Sequence, residues 1–128
     1  MFKFDADLKT VDTGVWAEFQ GARFLIAHIS NMRFQRALAR YQQPHRRKLE
    51  AGTLDPQTNR DILCRAMAEG LLLGWDKVQS SAGVETPYSA DVGLIALTKN
   101  VELRDFISEY SLNLANFRDE EIEDLGKS

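Results

Sequence analysis

One cysteine and two histidines are the side chains here with the most chemistry to offer, and their spacing offers little of it. Cys64 lies inside an apolar stretch, ILCRAMAEG, with no histidine near it in sequence. A thiol becomes a nucleophile when a neighbouring base or cation lowers its pKa, so Cys64 reads as a small buried hydrophobe. His28 and His45 stand 17 residues apart, with no cysteine or carboxylate at ligand spacing beside them, and no metal or other cofactor is expected. Gly21 and Gly52 belong to unrelated turns, and nothing resembles a phosphate-cradling loop. The acids Asp119, Glu120, Glu121, Glu123 and Asp124 crowd one chain end, a solvated arrangement and not a pair tuned in a pocket. The sequence predicts no enzyme.

A second chemistry to weigh is phosphate binding. Between Glu18 and Glu50 there is no acid, while Arg23, Arg33, Arg36, Arg40, Arg46, Arg47 and Lys48 supply seven cations. The stretch from Arg33 to Lys48 could track phosphates with Tyr41 as a stacking platform, so a small nucleic-acid-binding regulator is one alternative. Against it, the pI is near 5.4 and no helix pair offers a polar recognition face. The basic centre and acidic tail also suit steering of a partner or head-to-tail self-association, or simply a solvated basic helix and a frayed tail.

The elements that must position these groups make an ordinary globular chain. The 128 residues are 44% hydrophobic and 27% charged, with net charge −3, enough for one domain that buries about two-thirds of its unfolded surface. MFKFDAD lacks the order of a signal peptide, no run can span a bilayer, and a single cysteine fits a reducing cytoplasm. Residues 1–13 are expected to be extended and, like 119–128, loosely held. GVWAEF and ARFLIAHI, joined by Gln20-Gly21, predict a β-hairpin over about 14–29, too small to stand alone.

Ser30 or Asn31 then caps a helix with Phe34, Ala37, Leu38 and Tyr41 on one face and Arg33, Arg36 and Arg40 on another. Pro44 ends it, HRRKLEA makes a short piece closed by Gly52, and Asp55-Pro56 starts the next helix. That helix, predicted over 56–74, is apolar over most of its circumference and so central. Its charged stripe, Asp61, Arg65 and Glu69, has the spacing at which opposite charges meet. Gly70 costs a helix about 1 kcal/mol against Ala, which points to close packing there. Beyond it, Trp75 and Tyr88 flank an excursion, a strand-like WDKV and a polar QSSAG turn, and pin it to the core. Ser89 caps a short helix, and Asn100 starts the last one, whose apolar stripe holds Leu103, Phe106, Ile107, Tyr110, Leu114 and Phe117. Leu112 stands on the opposite face, either harmlessly exposed or part of an oligomer contact. The fold class is α+β: a mostly helical single domain, residues 1–128, with an N-terminal hairpin on four to five helices.

In order and spacing, GVW, RFLIAHISNMRF, LDP, GWDKV, TPYS and FISEYSLNLANF resemble the tail assembly chaperones of long-tailed bacteriophages and prophages. The resemblance implies a non-enzymatic, cofactor-free protein of the bacterial host cytoplasm. It would self-associate, bind the tape measure protein, keep it soluble while the tail tube polymerises, and be absent from the mature virion. A tail or head–tail protein retained in the virion is the other alternative. A long apolar-striped helical client calls for an apolar groove or an open strand edge. The expected surface for client or second copy comprises Trp16, Phe24, Arg33, Phe34, Arg36, Arg40, Tyr41, Arg46, Arg47 and Leu112. Trp75, Tyr88, Phe106, Tyr110 and Phe117 are expected anchors. The resemblance also implies two product lengths, the longer from a −1 ribosomal slip. Leu125-Gly126-Lys127 can be encoded CUG-GGA-AAG, on which such a slip keeps most pairing, so a C-terminally extended product of the same gene is a further expected partner.

Overall fold

The computed structural model describes residues 9–118. A helical turn α1 (Thr10–Thr13) leads into strands β1 (Val15–Phe19) and β2 (Ala22–Ile26), then helix α2 (Met32–Gln42). A 3-10 turn at Gln43–His45 precedes α3 (Arg46–Ala51) and α4 (Pro56–Gly70), which runs into strand β3 (Leu72–Asp76). Helices α5 (Ala90–Lys99) and α6 (Val101–Leu112) follow, and a 3-10 turn at Leu114–Phe117 closes the described chain. The class is the expected one: α+β, mostly helical, with an N-terminal hairpin.

The hairpin forms because β-branched and aromatic residues flank a two-residue turn in which Gln20 and Gly21 both take positive φ, the backbone that matches strand twist. β3 joins it, giving an antiparallel sheet of order β1-β2-β3 with a register shift at Leu25/Ile26. This strand corrects the sequence reading. Leu71 to Leu73 were expected as the end of a helix reaching 74, and the strand as starting at Trp75. Instead α4 stops at Gly70, Ala27 N–H donates to Leu71 O, and Leu72 pairs opposite Ile26 with no exposure at all. A run of three leucines is apolar in helix or strand alike, and the unpaired edge of β2 decides between them.

Side-chain caps set the helix starts. Asn31 accepts from Phe34 N–H, Asp55 from Thr58, Ser89 from Val92 and Asn100 from Leu103, at 2.9–3.2 Å. Gly52 closes α3 in the left-handed region. The core lies around α4, whose Ile62, Cys64, Ala66, Met67 and Ala68 are buried against the sheet, α2 and α5. α2 crosses α4 at Gly70, where a Cβ would stand 2.4 Å from Phe34 Cα. Asn31, itself buried, donates from Nδ2 to both Gly70 O and His28 O beside that crossing.

Two more expectations need correction. Of the segment 1–13, residues Thr10–Thr13 make a helical turn tied to the body at two neighbouring residues: His28 N–H donates to Val11 O, and Thr10 Oγ1 donates to Phe117 O. Residues 1–8 and 119–128 lie outside the described residues. The last apolar stripe assumed one straight helix, but Asn113 takes extended backbone and caps a separate 3-10 turn. Phe117 is therefore fully buried, while Leu114 turns out to solvent.

Candidate interaction site

The anchors tie the loops to the core. Trp75 Nε1 donates to Thr86 O at 2.8 Å, its ring meets Tyr88 edge-on at 5.1 Å, and Tyr88 Oη donates to Leu72 O at 2.7 Å. The excursion between them folds back on itself through Thr86 N–H to Val78 O and Ser80 N–H to Val84 O. Phe106 stacks on Phe19 at 4.4 Å, and Tyr110 and His28 each meet Phe117 edge-on. Burial pushes the Tyr88 and Tyr110 hydroxyls up and the His28 imidazole down. Ser30 N–H donates to His28 Nδ1, which leaves the ring proton of the neutral form on Nε2.

The ten residues expected at a partner surface separate. Phe24 and Phe34 are corrections: both are buried, Phe24 under the sheet against Trp75 and Phe34 against Gly70 at the helix crossing. Each was placed outside because a strand or helix stripe fixes a face without fixing which way that face looks. Trp16 is 45% exposed on the outer face of β1, and Leu112 is 60% exposed at the end of α6. Arg33, Arg36, Arg40, Arg46 and Arg47 are exposed along α2 and α3. Tyr41 is half-buried, donates its hydroxyl to Glu69 and carries Arg40 over its ring at 5.0 Å. Glu69 therefore serves Tyr41 and Arg40, not Arg65 as the helix spacing suggested. The Tyr41 hydroxyl, with help from Arg40, holds the Glu69 carboxyl below the usual range. Arg46 pairs with Glu50 at 3.2 Å. Two of the cations and the stacking ring are thus engaged within the chain.

A groove of about 1140 Å³ lies between the hairpin turn, the excursion and the α5–α6 junction. Phe24, Trp75 and Leu103 contribute to its lining, and Ile95 and Val101, 53% and 55% exposed, stand at its solvent side. Lys77, Lys99 and Glu85 line it too, and Gln20 Nε2 donates to Glu102 at 2.6 Å, tying the hairpin turn to α6. Sequence reasoning missed this groove. On α5 the buried residues are Gly93 and Leu97, and Ile95 stands on the opposite face, which the sequence alone does not distinguish from a core face.

The family model described as YdaY prophage protein matches residues 29–128. The chain belongs to that family. It is accordingly a phage or prophage protein. No curated protein and no solved structure matches it. The part matched to the YdaY family begins after β2, so it holds Trp75, Ile95, Val101 and Leu103 of the groove, while the hairpin that supplies Phe24 lies before it. Among the described residues of this YdaY-family chain, no three His, Cys, Asp or Glu side chains could hold a metal ion. No described helix is long and apolar enough to cross a membrane.

Proposed function

We propose that this prophage protein is a tail assembly chaperone that binds the tape measure protein without enzymatic chemistry and keeps it soluble during tail tube assembly. The observation that carries the reading is the groove, with Ile95 and Val101 exposed above an aromatic floor. A helix of ordinary diameter occupies on the order of 500 Å³ per turn, so the groove suits the apolar stripe of about two turns. Each such contact is weak, and a long client engages many copies at once. The motif resemblance to tail assembly chaperones points the same way, as does a prophage family. The site of action is then the host cytoplasm, and a −1 frameshift product extended beyond Lys127 is a second form of the same chain.

Co-expression with the tape measure protein tests this. The native chain raises the client's soluble yield, Ile95→Asp and Val101→Asp lose that effect while remaining folded, and mature particles lack the chain. Stoichiometric presence in purified virions points to a retained structural protein instead. A salt-sensitive DNA shift abolished by Arg46→Ala and Arg47→Ala points to a nucleic-acid binder. The frameshift form needs a GGA codon at Gly126 and an open −1 frame beyond it, which the gene shows directly.

A further inference from the structure

The sheet has two edges. On β3, Tyr88 Oη donates to Leu72 O, and Trp75 Nε1 donates to Thr86 O of the excursion beside it. Among the described residues no such bond reaches the outer edge of β1. Phe19 and Ala22 flank the two-residue turn, so the hydrogen-bonded pairs of the hairpin are Phe19–Ala22, Ala17–Phe24 and Val15–Ile26. The N–H and C=O groups of Trp16 and Glu18 therefore point outward, and among the described residues no backbone or side-chain group bonds to them. VWAEF has no Lys and no Pro to block the open edge, its one charge is Glu18, and the register shift lies between β2 and β3 instead.

The outer sheet face continues this open surface. Trp16, Leu25 and Gly74 form one cross-strand row, and the indole reaches to 3.9 Å from where a Gly74 Cβ would stand. Arg23 sits over the Trp16 ring at 4.7 Å and belongs to the next row, between Glu18 and Asp76.

We propose that β1 pairs antiparallel with β1 of a second copy about a two-fold axis at Ala17, joining two three-stranded sheets into one of six. The register satisfies the outward groups of Trp16 and Glu18 in both copies with about four main-chain hydrogen bonds. It sets Glu18 of each copy opposite Trp16 of the other, beside the Arg23 guanidinium, so a carboxylate meets a cation across the seam. The two Trp16 rings become diagonal neighbours at about 7–8 Å, within aromatic reach. This self-complementarity of charge selects a second copy over an unrelated strand. The inference does not rest on the chaperone reading, because the groove lies beyond the hairpin turn and stays open in the dimer.

Sedimentation of the full chain tests it, with a particle of twice the 14.5 kDa chain mass expected. Glu18→Pro removes an outward N–H and no internal bond, and should raise the dissociation constant by roughly tenfold or more. Trp16→Thr, which leaves the backbone untouched, should weaken the dimer in the same direction. Directly opposed residues of a non-hydrogen-bonded pair have Cα atoms about 4.5 Å apart, so Ala17→Cys should form a covalent dimer on mild oxidation. A monomeric native chain overturns the proposal. So does a dimer whose folded Ala17→Cys form fails to cross-link, because another face then joins the copies.

Discussion

Gly70→Ala places a single methyl where two backbones already touch. The added Cβ would lie 2.4 Å from Phe34 Cα, 2.5 Å from its N and 2.6 Å from its Cβ. Carbon atoms rest at about 3.5–4.0 Å, so α2 and α4 must part by about 1 Å. No rotamer change relieves this, because the atoms met are backbone and Cβ. The Asn31 Nδ2 bonds to Gly70 O at 2.9 Å and His28 O at 2.6 Å sit beside the crossing and stretch with it. Overpacking costs about 1–3 kcal/mol, and a strained buried hydrogen bond about 1–3 more. Ala returns about 1 kcal/mol of helix propensity. The net is a destabilisation of about 3 kcal/mol, a large share of a typical total of about 5–15. In a chain of this size it lowers Tm by about 10 °C. Urea titration followed by tryptophan fluorescence gives the free energy, and Gly74→Ala is the matched control, since its Cβ would meet nothing closer than Leu25 Cβ at 3.7 Å. If Gly70→Ala were as stable as the native chain, or more so, the close helix crossing would be wrong.

Acid should destabilise the chain in two stages. Burial holds His28 below its ordinary 6.5, so its neutral form is favoured on folding; that contribution is complete above 6.5 and is lost as pH falls from there through the folded value. Glu69 is held below its ordinary 4.5, so its contribution is present above 4.5 and is lost on further acidification. His28→Asn should flatten the first stage in a pH series of urea melts and leave the second. Tyr41→Phe removes the largest influence on Glu69, so the carboxyl titration followed by NMR should move upward toward the ordinary value. Trp75→Phe deprives Thr86 O of its donor at a cost of about 1 kcal/mol, and amide exchange should quicken within residues 77–86 before the rest of the chain. An unchanged exchange pattern would mean that Tyr88 alone holds the excursion.

What the sequence made legible was local. Asn31, Asp55, Ser89 and Asn100 cap the helices they precede because the capping bond lies within three residues. Gln20-Gly21 set the hairpin for the same reason, and Gly70 marked a close approach because a helix tolerates glycine poorly without one. The boundary after Gly70 was not legible, because a strand edge some 45 residues away in sequence, at Ile26, decides it. The break at Asn113 was not legible because the apolar period runs on through it. The surfaces were hardest of all. An apolar groove and a core are built from the same residue types, so Phe34 and Ile95 look alike along the chain. Hydrophobic periodicity says that such residues share a face and leaves open whether the chain itself covers that face. For Phe34 the cover is α4, made possible by a missing Cβ at Gly70; for Ile95 the described chain supplies none. Exposure of one against burial of the other is thus a property of the packing, and the groove became visible only where the packing ends.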